Sequence, residues 1–86
     1  MRVFCKVVGK NIYHDKTSGV LNYNALISTS AFNTRDGFNK LEFYRCSVDE
    51  DLYNSLTFLD NCTCDLIYFY RDGRQFVIAS DLEKME

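Results

Sequence analysis

The chain has 86 residues, which predicts one domain over residues 1–86. With 47% apolar and 26% charged residues it excludes disorder and a coiled coil, and so short a chain suits a binding module better than an enzyme with a deep cavity. Its net charge of −2 argues on its face against nucleic acid, yet the charge is divided: through Val48 seven Lys or Arg stand against three acids (+4), and from Asp49 onward three stand against nine (−6).

Period-two alternation opens the chain. Over Arg2 to Val8, Val3, Cys5 and Val7 share one face and Phe4, Lys6 and Val8 the other, which predicts the first strand. Lys10 to Gly19 is rich in polar turn-formers (Asn11, His14-Asp15-Lys16, Thr17-Ser18-Gly19) and reads as a loop or twisted hairpin. Val20 to Phe32 is the second strand, in which Leu21, Tyr23, Ala25, Ile27, Thr29 and Ala31 alternate with a wet face of Asn22, Asn24, Ser28 and Ser30, interrupted by Leu26. Asp36-Gly37 supplies a tight reversal in a connection that exposes Phe38, and Lys40 to Cys46 is the third strand.

Ser47-Val48-Asp49-Glu50 reads as a capping box, so a short helix follows and ends by Asp60, with Leu52, Ser55, Leu56 and Leu59 on its inner face. Asp49, Glu50 and Asp51 fall in its first turn, where the macrodipole favours anions. Cys62 to Tyr70 alternates as the fourth strand, Arg71-Asp72-Gly73-Arg74 carries the Asp-Gly of a two-residue hairpin, and Gln75 to Ala79 is the fifth. Ser80 to Glu86 is a charged end with room for one further turn. The fold class is therefore mainly β, a five-stranded OB-like Greek-key barrel with one short helix between strands 3 and 4. An α+β sheet of ubiquitin-like kind is the alternative, against which stands the shortness of the helix.

Cys5, Cys46, Cys62 and Cys64 lack a secretory context, so they read as buried free thiols and the sequon at Asn61-Cys62-Thr63 as chance. In a strand, Cys62 and Cys64 point to one face about 6.6 Å apart, unlike the Cys-x-x-Cys turn of zinc sites, so no metal is expected. His14 is the only histidine, and no phosphate loop, nucleophile elbow or zinc-hydrolase motif occurs. The chain is accordingly read as no enzyme, with no catalytic residue, cofactor or small-molecule substrate. Ser, Thr and Asn break the longest charge-free run, so no membrane span is expected and the location is read as cytoplasmic. Phe4, Phe43, Phe58 and Phe69 are assigned to the core or to a subunit interface. Tyr68-Phe69-Tyr70 presents rings on both faces of one strand, to be covered by a dimer partner or by the helix or C-terminal end.

A polar loop closing on Lys16-Thr17-Ser18-Gly19, a strand opening Leu21-Asn22-Tyr23-Asn24 and a late aromatic hairpin give a layout that resembles the small single-stranded-DNA-binding proteins of filamentous phages and related mobile elements, over nearly the whole chain. The resemblance implies an OB-fold homodimer that coats single-stranded DNA with little sequence preference. It implies phosphate contacts at Lys10 and Lys16, a stacking ring at Tyr23, and an aromatic at Tyr70 or Phe76 beside Arg71 and Arg74. The acidic end Asp81-Leu82-Glu83-Lys84-Met85-Glu86 departs from that family, which tends to be neutral or basic.

The residues also speak without the resemblance. Tyr13 beside His14 and Lys16, Phe38 between Arg35 and Lys40, and Tyr44 beside Arg45 interleave rings with cations, the two ingredients of a single-strand groove. Lys10, Lys16, Arg35 and Lys40 are thus expected on phosphates and Tyr13, Tyr23 and Phe38 on bases of DNA or RNA; the resemblance implies the setting, replication or transfer of a phage, plasmid or conjugative element. The alternative is a protein-interaction module that binds a basic partner through the acidic half and the aromatic strand; a structural piece of a larger assembly is a third reading.

Overall fold

The computed structural model describes residues 1–33 and 38–85, with side chains over 1–29 and 41–85. Strands β1 (Arg2–His14), β2 (Leu21–Asn33), β3 (Phe38–Val48), β4 (Asn61–Arg71) and β5 (Arg74–Lys84), with helix α1 (Glu50–Ser55) between β3 and β4, close a barrel in the order β1-β2-β3-β5-β4. Neighbours are antiparallel except β3 and β5, which meet in parallel at Cys46 and Ala79. This is the OB-like order expected of the sequence. An open sheet under a helix is excluded, because β4 returns to pair with β1 from Arg2 to Lys6.

Two strands run past the ends that alternation suggests, each for a definable reason. In β1 the register shifts between Val7 and Gly9, so that Val7 pairs with Ile27 and Gly9 with Leu26. This bulge inverts the phase: inward positions are odd-numbered up to Val7 and even-numbered after it, and a strict period-two reading loses the strand there. The segment read as a loop from Lys10 is thus strand to His14, and the reversal is confined to residues 15–20, where the Asp15 carboxylate accepts from the Thr17 amide at 2.9 Å and Gly19 adopts φ 76°. In β5 the shift opposite Thr63 and Asp65 is taken up at Asp81, φ 53°, so that Ala79 and Leu82 both point inward. The charged end is therefore strand, not a helical turn. The Asp72-Gly73 hairpin forms as expected, with both residues at positive φ (53° and 75°).

The helix starts two residues later than the capping-box reading. Asp49 is the N-cap, its carboxylate accepting from the Leu52 amide at 2.7 Å, while Ser47 remains in β3 opposite Asn24. After α1, Leu56 plugs the barrel and Leu59 is half exposed, not inward. The chain is then pinned to β1 by the Leu59 amide on the Val7 carbonyl and the Val7 amide on the Asp60 carbonyl (2.7 and 3.1 Å).

Among the described residues the interior is filled by small and sulfur side chains: Cys5, Cys46, Cys62, Cys64, Ala25 and Ala79, around Val7, Ile27, Leu56, Leu66 and Leu82. The four thiols are free and buried, and burial pushes all of them up, Cys5 to about 12 with the neighbouring Cys64 adding to the effect. The core half of the phenylalanine assignment is overturned. Phe4, Phe43, Phe58 and Phe69 are all exposed, because a five-stranded barrel has no room for their rings and the strand phase turns Phe4, Phe43 and Phe69 outward.

Candidate nucleic-acid interface

The outward face of β1, β2 and β3 can be read in rows, since side chains directly opposite in an antiparallel pair share a face. Lys6, Ser28 and Phe43 stand abreast, then Gly9, Leu26 and Arg45, then Asn11, Asn24 and Ser47, and last Tyr13 beside Asn22. Successive rows lie about 6.6 Å apart by strand rise. A hollow of about 190 Å³ sits among Gly9, Asn11, Asn24, Leu26 and Arg45. Among the described residues no Asp or Glu occupies an outward position between Lys6 and Ser47. Glu42, the acid of β3, points inward opposite Thr29 and accepts from the Tyr44 hydroxyl, which is thereby raised to about 12 with burial contributing. Tyr44 is accordingly half-buried and turned away from Arg45.

The predicted residues fall into three groups. Lys10 and Tyr23 lie on the inner phase of the β1–β2 hairpin, where both pack on Tyr53 of α1. The Lys10 ammonium donates to the Tyr53 carbonyl at 2.8 Å and stands 4.4 Å from the centre of its ring, while the Tyr23 ring packs at 5.2 Å and 58° to that of Tyr53. Partial burial raises the Tyr23 phenol, and the Glu50 carboxylate beside it adds to the shift. Tyr13 is exposed on the opposite face of the same hairpin, and Lys16 is exposed in its turn.

Arg71 and Arg74 face each other across the β4–β5 turn, beside Phe69 and Phe76, whose rings stack at 5.5 Å and 19°. Tyr70 is exposed on the other side of that ribbon, opposite Gln75. Arg35, with the Asp36-Gly37 reversal, and the side chains of Phe38 and Lys40 lie outside the described residues. The structure thus brings Lys10 to Tyr23 and Arg71 to Arg74, and keeps these two pairs on different elements.

Sequence reasoning passed over Lys6, and named Arg45 as the cation beside Tyr44 without placing it among the expected phosphate contacts. The signal was present: Lys6 alternates against Val3, Cys5 and Val7, and Arg45 sits one residue from the buried Cys46, so both belong to a wet face. Arg2 is not free for a ligand, since Asp65, Asp81 and Glu83 hold its guanidinium at 3.1–3.5 Å. Among the described residues no group of three or more His, Cys, Asp and Glu is placed to hold a metal ion, and no helix is long and apolar enough to cross a membrane.

No protein-family model and no curated protein sequence matches the chain. Among solved structures, the crystal structure of a small single-stranded DNA-binding protein from Streptomyces coelicolor aligns with it at a TM-score of 0.41 and 9% identity, covering 100% of this chain and 88% of that one. The likeness is too slight to carry function, and the fold stands on the strand order itself.

Proposed function

We propose that the protein binds single-stranded nucleic acid, DNA with little sequence preference, by passive coating. The observation that carries this reading is the outward face of β1–β3, on which Lys6 and Arg45 interleave with Tyr13 and Phe43 and, among the described residues, no carboxylate intrudes. Phosphates need cations and bases need flat rings, each stack contributing about 1–3 kcal/mol. Lys10, Lys16, Arg35 and Lys40 supply further phosphate contacts and Tyr23 and Phe38 further stacks, Lys10 and Tyr23 from the other face of the β1–β2 hairpin, with Arg71 and Arg74 at the second hairpin.

The protein acts as a homodimer that buries the apolar face of the β4–β5 ribbon. The setting we propose, on the likeness of layout to phage proteins, is cytoplasmic replication or transfer of a mobile element. That same ribbon favours a second reading, in which Ile67, Phe69, Phe76 and Ile78, all exposed, dock on a partner protein.

Fluorescence anisotropy with labelled DNA and RNA oligonucleotides of increasing length tests the proposal. Binding should tighten with length and weaken with salt, by about 0.7 log units of affinity per phosphate contact for each log unit of salt. No binding at low salt, or a flat salt response, overturns it; a preference for RNA would change the ligand and leave the site.

A further inference from the structure

Lys6 is the residue at which β1 changes neighbours. It closes the pairing with β4, opposite Asn61, and opens the pairing with β2, opposite Ser28. Beyond that point β2 continues paired to β3 alone, so the sheet forks. A cleft of about 440 Å³ opens at the fork, with Phe4 on one wall, Leu41 and Phe43 on the other, Leu59 at one end, and Lys6 as the charged residue among the described residues of its lining. Phe4 is 74% exposed, Leu41 63% and Phe43 56%. None of the three stabilises the barrel by burial, and an exposed apolar concavity of this size is where contact surfaces are found.

We infer that this cleft is a nucleobase subsite of the nucleic-acid face, an inference that rests on the function proposed above. One base of the bound strand enters between Phe4 and Phe43, with Ser28 and Asn61 at its polar edge and its flanking phosphates on Lys6 and on Arg45, one row away. Charge selects this occupant. Among the described residues that line it, the cleft joins an apolar floor to a single sign of charge, and Asp60 of the adjoining hollow is paired with Lys84; this suits a ligand that is flat and apolar in its body and anionic at its margin. A second copy of the chain is the rival occupant. Its exposed apolar surface, the β4–β5 ribbon, is bordered by Arg71 and Arg74, and would bring like charges to Lys6.

The test is Phe43→Ala and Phe4→Ala in the whole chain, read by anisotropy on a labelled single-stranded oligonucleotide, with sedimentation velocity and thermal melting alongside. Each substitution should weaken binding about 5- to 150-fold, the range that corresponds to losing one stack, and Phe43→Trp should restore it. Melting should move little, since the rings are exposed. Photocrosslinking with 5-iodouracil oligonucleotides should place the adduct on the peptide that holds Phe4 or Phe43. Unchanged affinity in both variants, with crosslinks elsewhere, overturns the subsite while the nucleic-acid function stands. Absence of binding by the unmodified protein at low salt overturns both. A shift in oligomeric state with unchanged affinity assigns the cleft to a second copy and overturns the inference.

Discussion

The two sides of the barrel that meet at β1 use the same residue types to opposite ends. On the outward face of β1–β3, Lys6 and Arg45 stand among rings and amides with no acid between them; on β4–β5, Asp65 and Glu83 with Asp81 converge on Arg2. The acidic half of the chain is thus largely engaged in contacts within the protein. Asp49 caps α1, Glu50 and Asp51 fill its first turn, and Asp60 pairs with Lys84 at 3.3 Å. What remains outward on the ribbon is the apolar ladder of Ile67 opposite Ile78 and Phe69 opposite Phe76, ending in Arg71 and Arg74. Net charge counts residues, whereas a polyanion meets a face, and −2 overall is compatible with a wall of one sign.

The sharpest way to break this comparison is to remove rings from one side at a time. Phe69→Ala with Phe76→Ala should raise the dissociation constant of the dimer on the order of a hundredfold, because stacked aromatic anchors typically contribute about 2 kcal/mol each to an interface and do not add fully. Sedimentation equilibrium reads it; a chain that is monomeric at all concentrations before the change removes the dimer from the proposal.

A smaller effect divides the β1–β2 hairpin between its two faces. Tyr13→Ala should cost about tenfold in affinity for single-stranded DNA with an unchanged melting temperature, the loss expected for one stack. Tyr23→Ala should lower both affinity and melting temperature, since its ring also packs on Tyr53, a contact worth about 1 kcal/mol. If Tyr23→Ala moves only the melting temperature, Lys10 and Tyr23 serve to dock α1 and not the strand of DNA.

That ambiguity shows where the sequence was legible. Regular alternation identified the five strands and the inward set Cys5, Val7, Ala25, Ile27, Cys62, Cys64 and Leu66, because a single buried face imposes period two. It failed at Val8 and Asp81, where one extra residue inverts the phase and hides strand as loop or tail. Tyr23 and Lys10 were legible as a ring and a cation, but what covers them depends on α1, six residues long and brought over the hairpin only by closure of the barrel. Phe4 and Phe43 were misread as candidates for the core for a related reason. Hydrophobicity says that a ring prefers burial, yet the narrow interior is already filled by thiols and small side chains, a property of strand number that no single position displays.

The smallest effect concerns the two carboxylates that hold the turns of each side. Asp15 is held below the usual carboxylate value by the Thr17 and Ser18 amides, and Asp60 by the Thr57 amide and hydroxyl, with Lys84 contributing. In both cases the fold favours the ionised form. Their stabilisation is therefore fully present above the ordinary value of 3.8 and is lost as pH falls through the lower folded values. Asp60→Asn should lower the urea midpoint at neutral pH, and the gap to the unmodified chain should close as the pH is taken below 3.8 and through the lower folded value. Asp15→Asn should show the same sign with a smaller gap, because its turn stands clear of the barrel whereas Asp60 helps to pin the chain after α1 to β1. Salt separates the two: screening should narrow the Asp60 gap, part of which is its ion pair with Lys84, and leave that of Asp15, made by backbone amides, nearly unchanged. A pH-independent gap at Asp60 would mean that the loop is held by its backbone bonds to Val7 alone, and that the two sides of the barrel are joined without help from charge.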